Sequence, residues 1–300
     1  MRFASFPVSL RRAVIAVTAL AAVLGGVRSP GEAAPALWVA ESGQAKLYLF
    51  GTVHVLRPEI VWHTPALDAA LAESSDLWLE VANADDATAG APLVRSLGLD
   101  PAHPLSSKLS AVDLARVDRA AKALGAPGEG TLEPMRPWLA SVTLSMLPLT
   151  RAGYDPKSGV DVQLKNAFAA RSKAIRGFET LDQQMHFFAD LPQDQEVAML
   201  DATLDEVDTA STTLDGLVTA WSNGDVERFA AVTKLSMFKG APMLYELLVV
   251  QRNAAWVRSL AARLQQPGVS FIAVGAAHLS GSSSVQAGLE RLGYRVRRIQ

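Results

Sequence analysis

Apolar and polar positions along this chain keep two periods, and the places where the period changes mark the elements. Ala13–Leu24 is an unbroken small and apolar run apart from Thr18, with Arg2, Arg11 and Arg12 before it and Gly25, Gly26 and Pro30 after it. Two apolar runs, Leu37–Ala40 and Lys46–Phe50, flank a short polar turn with Gly43 and predict a β-hairpin. Trp62–Glu73 repeats its apolar residues at helical spacing, and Asp76–Val81 is a short apolar strand that ends in a carboxylate. Strand, helix and strand from Leu47 to Val81 predict a parallel pair. The Gly-, Pro- and Asp-containing stretch 82–104 reads as loop, and helices follow at Ser110–Leu124, Pro137–Leu147 and Gly159–Arg171. Ala174–Phe178 predicts another strand, followed at once by Glu179. From Leu181 to Leu264 the spacing is almost wholly helical, with breaks at 222–225 and 239–242. Val269–Val274 is the clearest buried strand, and a helix at Ser283–Leu292 and a strand at Tyr294–Ile299 close the chain.

The fold class expected is α/β: a mixed, mostly parallel central sheet with helices on both faces and a helical insertion at about 181–264. Composition supports one sizeable core, since 49% of residues are hydrophobic and 19% charged. The order of charge, apolar core and small residues at the N-terminus reads as a signal peptide over 1–36, ahead of a single domain over 37–300. Its apolar stretch is shorter than the roughly 20 residues of a spanning helix. The expected location is therefore periplasmic or secreted, with no stable membrane anchor after cleavage. There is no cysteine, so the core must stabilise the fold without disulfides. A net charge of −2 argues against nucleic acid as a partner.

Four strands end in chemistry. Phe50 leads into Gly51-Thr52-Val53-His54, Val274 into Gly275-Ala276-Ala277-His278, Leu79 into Glu80 and Phe178 into Glu179. In open α/β sheets ligands sit beyond the carboxyl ends of the strands. Two imidazoles and two carboxylates gathered there are a ligand set for a divalent metal, with Mn, Co, Fe or Zn all suitable. The glycine three residues before each histidine would permit a sharp turn and a close approach. His63, His103 and His186 lie near a helix start, in a loop and on an amphipathic helix, and are not expected in the site. Asp161 reads as a first-turn acid favoured by the helix dipole, and Asn253 as a surface or capping residue.

With these elements in this order, the chain resembles the TraB/PrgY/GumN family, which includes the Tiki membrane proteases, and most nearly its short bacterial GumN-like branch. The resemblance runs through Leu37-Trp38, Leu49–His54, Leu77–Glu80, Gly159-Val160-Asp161 and Gly177–Thr180 with Gln183 or Gln184. It continues through Arg252-Asn253 to Val274–Leu279 and Gly281. It implies a fold like that of erythromycin esterases and a metal-dependent hydrolase or peptidase acting on a peptide or small molecule. It further implies His54, Glu80 and His278 as metal ligands, Glu179 as a fourth ligand or general base, and Arg252 as a cation for the developing negative charge. A competing class is a periplasmic protein that binds peptide or haem without turnover, or an accessory protein. An ion pair of Glu80 with Arg252 and a capping role for Glu179 compete with their catalytic roles.

Overall fold

The computed structural model describes residues 33–125, 130–234 and 242–300. Six strands form one sheet in the order β4-β3-β5-β2-β1-β6. They are β1 (Leu37–Ser42), β2 (Ala45–Thr52), β3 (Asp76–Val81), β4 (Ala174–Glu179), β5 (Gly268–Gly275) and β6 (Arg295–Arg298). β2, β5, β3 and β4 run parallel, and β1 pairs antiparallel with both β2 and β6. The expected α/β architecture with a mostly parallel sheet and helices on both faces is what the chain adopts.

Burial on both faces explains the centre of the sheet. Tyr48, Phe50, Phe271 and Ala273 face one core with the helices Pro65–Glu73, Val160–Ala170 and Ala210–Ser222. Leu47, Leu49, Ile272 and Val274 face the opposite core with Gln251–Arg263 and Val285–Arg291. A strand apolar on both sides belongs inside a parallel sheet. That preference corrects one expectation: β2 and β3 are parallel but do not pair, because β5 lies between them. The edge strand β6 carries Arg295, Arg297 and Arg298, charges that discourage pairing with another chain.

Several bounds differ from expectation for local reasons. The first helix starts at Pro65 rather than Trp62, with the Thr64 side chain accepting from the Leu67 N–H. The helix that begins at Pro137 runs through a buried Pro148 to Arg151. The stretch read as loop holds a helix at Ala87–Leu93, whose N-cap Asp86 accepts from Thr88 and Ala89 N–H groups. The break at Asn223-Gly224 falls where the spacing placed it, whereas 239–241 lie outside the described residues.

The helical stretch after β4 divides among three cores. Leu217, Val218, Trp221 and Phe229 join one face of the sheet, and Trp256, Val257, Leu260 and Leu264 the other. Leu200 and Leu204 pack with Val117, Ala140 and Leu144 in a third, all-helical cluster. Met237 and Phe238 lie outside the described residues. Among the described residues, no helix is long and apolar enough to cross a membrane.

Candidate functional site

Four adjacent parallel strands deliver their carboxyl ends to one edge of the sheet. Glu179 ends β4, Glu80 lies near the end of β3, Gly275 ends β5, and His54 follows β2. His278 comes from the turn Ala276–Leu279 directly after β5. Arg252 and Asn253 reach the same place from the helix Gln251–Arg263. The structure thus brings together all five residues singled out from the sequence.

Arg252 is the hub. Its Nε donates to Glu179 Oε1 and Oε2 at 3.0 and 3.1 Å. Its Nη2 donates to Glu80 Oε2 at 2.6 Å and to Glu179 Oε2 at 2.9 Å. Its Nη1 donates to the Leu248 carbonyl at 3.0 Å and to His278 Nε2 at 3.2 Å. A guanidinium has five N–H groups, and here every one is engaged within the protein. Glu179 is equally occupied, since Trp256 Nε1 also donates to its Oε1 at 2.9 Å. Arg252 and Glu179 therefore form a largely buried clamp whose polar groups are engaged within the protein. The indole of Trp256 lies 4.7 Å from the guanidinium carbon and adds a cation–π contact.

Glu80 bridges the clamp and the open side. Its Oε1 accepts the Gly275 N–H at 2.7 Å, while Gln184 Nε2 donates to its Oε2 at 3.1 Å. Burial alone would raise its pKa, but its interactions with His278, His54 and Arg252, with the Gly275 N–H bond, hold it well below the carboxylate range.

His278 has a fixed tautomer. Asn253 Nδ2 donates to the His278 and Ser283 carbonyls at 3.1 and 2.8 Å, which sets the orientation of the amide. Asn253 Oδ1 must then accept from His278 Nδ1–H, at 2.7 Å, leaving Nε2 as the lone-pair nitrogen that Arg252 meets. Burial beside the guanidinium pulls the His278 pKa down to about 4, so the ring is neutral at ordinary pH.

His54 is the open member of the group. Its ring is 63% accessible, and Asp161 Oδ1 lies 3.2 Å from Nδ1. No partner meets Nε2 among the described residues. Partial desolvation lowers its pKa, but the Asp161 hydrogen bond and charge, with Glu80, win and push it up to about 9. Asp161→Asn should return the His54 pKa toward 6.5, read from the imidazole proton shifts in an NMR titration. An unmoved titration would show that Asp161 does not govern His54. A folded pKa above the unfolded value stabilises fully below pH 6.5 and is lost as pH rises through about 9. The exposed ring keeps that contribution small.

Gly159 makes the His54–Asp161 pair possible. A Cβ there would stand 2.3 Å from the His54 carbonyl oxygen, so only glycine lets this helix start approach the His54 loop. The Val160 N–H then donates to the Val53 carbonyl at 2.9 Å, and Asp161 follows in the first turn. We expect Gly159→Ala to cost about 1–3 kcal/mol in chemical unfolding, as overpacking against backbone does. A variant as stable as the parent would remove this explanation.

The glycines before the histidines act differently from expectation. Neither Gly51 nor Gly275 takes a positive φ, so neither is there for a sharp turn. They supply room. A Cβ on Gly275 would lie 3.0 Å from Glu80 Oε1, 3.5 Å from His54 Nε2 and 3.7 Å from His278 Cδ2, which marks this glycine as the middle of the centre.

The donor types suit a divalent metal, and tying an imidazole at Nδ1 to present Nε2 is common around metals. As placed, however, His54, Glu80 and His278 do not fit one as a closed ligand set. Arg252 Nη1 takes the His278 Nε2 lone pair, and among the described residues no group of three or more His, Cys, Asp or Glu could hold an ion. The other histidines each pair with nearby acids: His63 with Asp68, His103 with Asp100, and His186 with Asp190 and Asp182.

Sequence reasoning missed the parts played by Asp161 and Asn253. A signal for Asn253 was present: Val249, Trp256, Leu260 and Leu264 form a helical stripe, and Arg252 and Asn253 fill its gap. Two polar residues on a core-facing stripe call for buried partners.

The fold and site define an α/β protein with a polar centre at the carboxyl ends of parallel strands. A model of the TraB/PrgY/gumN family matches residues 36–298, and the chain belongs to that family. No curated protein and no solved structure matches the chain.

Proposed function

We propose that the protein is an exported hydrolase that cleaves an ester or amide bond of a peptide or small molecule, with His54 as its proton carrier. The observation that carries this reading is His54 Nε2, unpartnered, accessible, backed by Asp161 and turned toward Gly275 beside Glu80 Oε1. Neutral His54 takes a proton from water as it attacks the carbonyl and returns that proton to the leaving group. Glu80 Oε1 keeps a lone pair beyond its bond to Gly275 and can orient that water. Arg252, Glu179 and Asn253 hold Glu80 and His278 in place. A divalent ion would need Arg252 Nη1 to leave His278 Nε2, and no step here passes through one.

Export rests on the N-terminal pattern. Ala33, Ala34 and Ala36 are buried, and the Ala34 N–H donates to the Ser222 carbonyl at 2.6 Å, which favours processing near Ala33 over loss of the whole segment to residue 36. A panel of esters and short peptides, assayed with and without added Mn, Co, Fe or Zn, tests the hydrolase reading. Product release supports it, and its dependence on an ion decides whether the metal belongs to the centre. No turnover under either condition overturns it.

A further inference from the structure

Beside the centre lies an open cavity of about 590 Å³ between the helix Leu181–Ala189 and the helix Gln251–Arg263. Its inner wall is aromatic: Phe178 and Trp256 stack at 5.1 Å, and Phe187 joins them. Trp256 also lies against His278, with ring centroids 4.4 Å apart, so one indole touches both the cavity and the centre. Among the described residues, the charged lining is of one sign apart from His186: Glu179, Asp182 and Asp190 line the cavity, and no Lys or Arg does.

Those two properties select a ligand. Aromatic faces attract a cation and also accommodate an apolar stem. Glu179 is already neutralised by Arg252, so Asp182 and Asp190 supply the free charge at the mouth. They share His186, whose Nδ1 lies 2.9 Å from Asp190 and whose Nε2 lies 3.8 Å from Asp182. Two carboxylates against one imidazole leave the mouth negative even when His186 is protonated.

We propose that this cavity is a substrate subsite for an amine or guanidinium on an apolar stem, such as a lysine or arginine side chain of a peptide. Calling the ligand a substrate rests on the hydrolase reading; the binding itself does not. The stem lies along Phe178, Phe187 and Trp256, and the cationic head meets Asp182 and Asp190.

The experiment is calorimetric titration of the His54→Ala protein with two short peptides identical except for lysine or norleucine at one position. Removing His54 stops turnover during the titration and leaves the cavity intact. Lysine is expected to bind about tenfold tighter, from two partly exposed ion pairs. Adding Asp182→Asn and Asp190→Asn should erase that preference, leave norleucine binding unchanged and keep the thermal midpoint. Equal binding of the two peptides, binding of neither, or a preference that survives the double substitution would overturn the subsite. Failure of the hydrolase reading shows separately, as absent turnover in the parent protein despite a lysine preference in the titration.

Discussion

Arg252→Ala is expected to destabilise the fold by about 3–5 kcal/mol in urea unfolding at neutral pH, the scale on which removing one partner of a buried ion pair acts. The side chains of Glu80 and Glu179 are only 11% accessible, and Arg252 is the cation bonded to both. Without it, two carboxylates must be buried charged or take up protons. For Glu80, loss of the cation raises the folded pKa, so the loss is greatest at neutral pH and shrinks as pH falls. Replacing all three charges together, as Arg252→Met with Glu80→Gln and Glu179→Gln, should recover much of the stability, because the penalty lies in the unpaired charge. A loss below about 1 kcal/mol for Arg252→Ala would mean that the clamp is not the anchor of this end of the sheet.

Much of that clamp could be read from sequence, and the reason is topological. Parallel strands share one carboxyl edge, so residues just after Phe50, Leu79, Phe178 and Val274 had to arrive together. The double-sided apolar pattern of Val269–Val274 likewise marked a central strand, although its place between β2 and β3 was not legible. Strand order depends on which long-range pairs form, and the short connection from Leu47 to Val81 favoured the wrong neighbour. The Asp161 contact was hidden for another reason. A first-turn acid has a sufficient local explanation in the helix dipole, and only the close approach at Gly159, where a Cβ would stand 2.3 Å from the His54 carbonyl oxygen, reveals that the turn sits against His54. The occupied state of Arg252 was hidden too. Five donors with five partners is a fact of geometry, and the residue types alone fit a clamp and a catalytic cation equally well.

His54→Ala separates catalysis from folding more cleanly than any other change at this centre. The ring is 63% accessible and its one polar contact among the described residues is Asp161, so removing it should alter unfolding free energy by less than about 1 kcal/mol. Loss of a positioned proton carrier should lower turnover by about 100- to 10,000-fold. The parent rate should also climb with pH toward about 9, where His54 becomes neutral and able to accept a proton. The decisive measurement is turnover of the best ester or peptide from the panel by the parent protein and by His54→Ala, with thermal midpoints recorded on the same samples. The account expects a loss of at least about 100-fold at an unchanged midpoint. Equal turnover by the two proteins would contradict it, because the activity would then belong to some group other than His54.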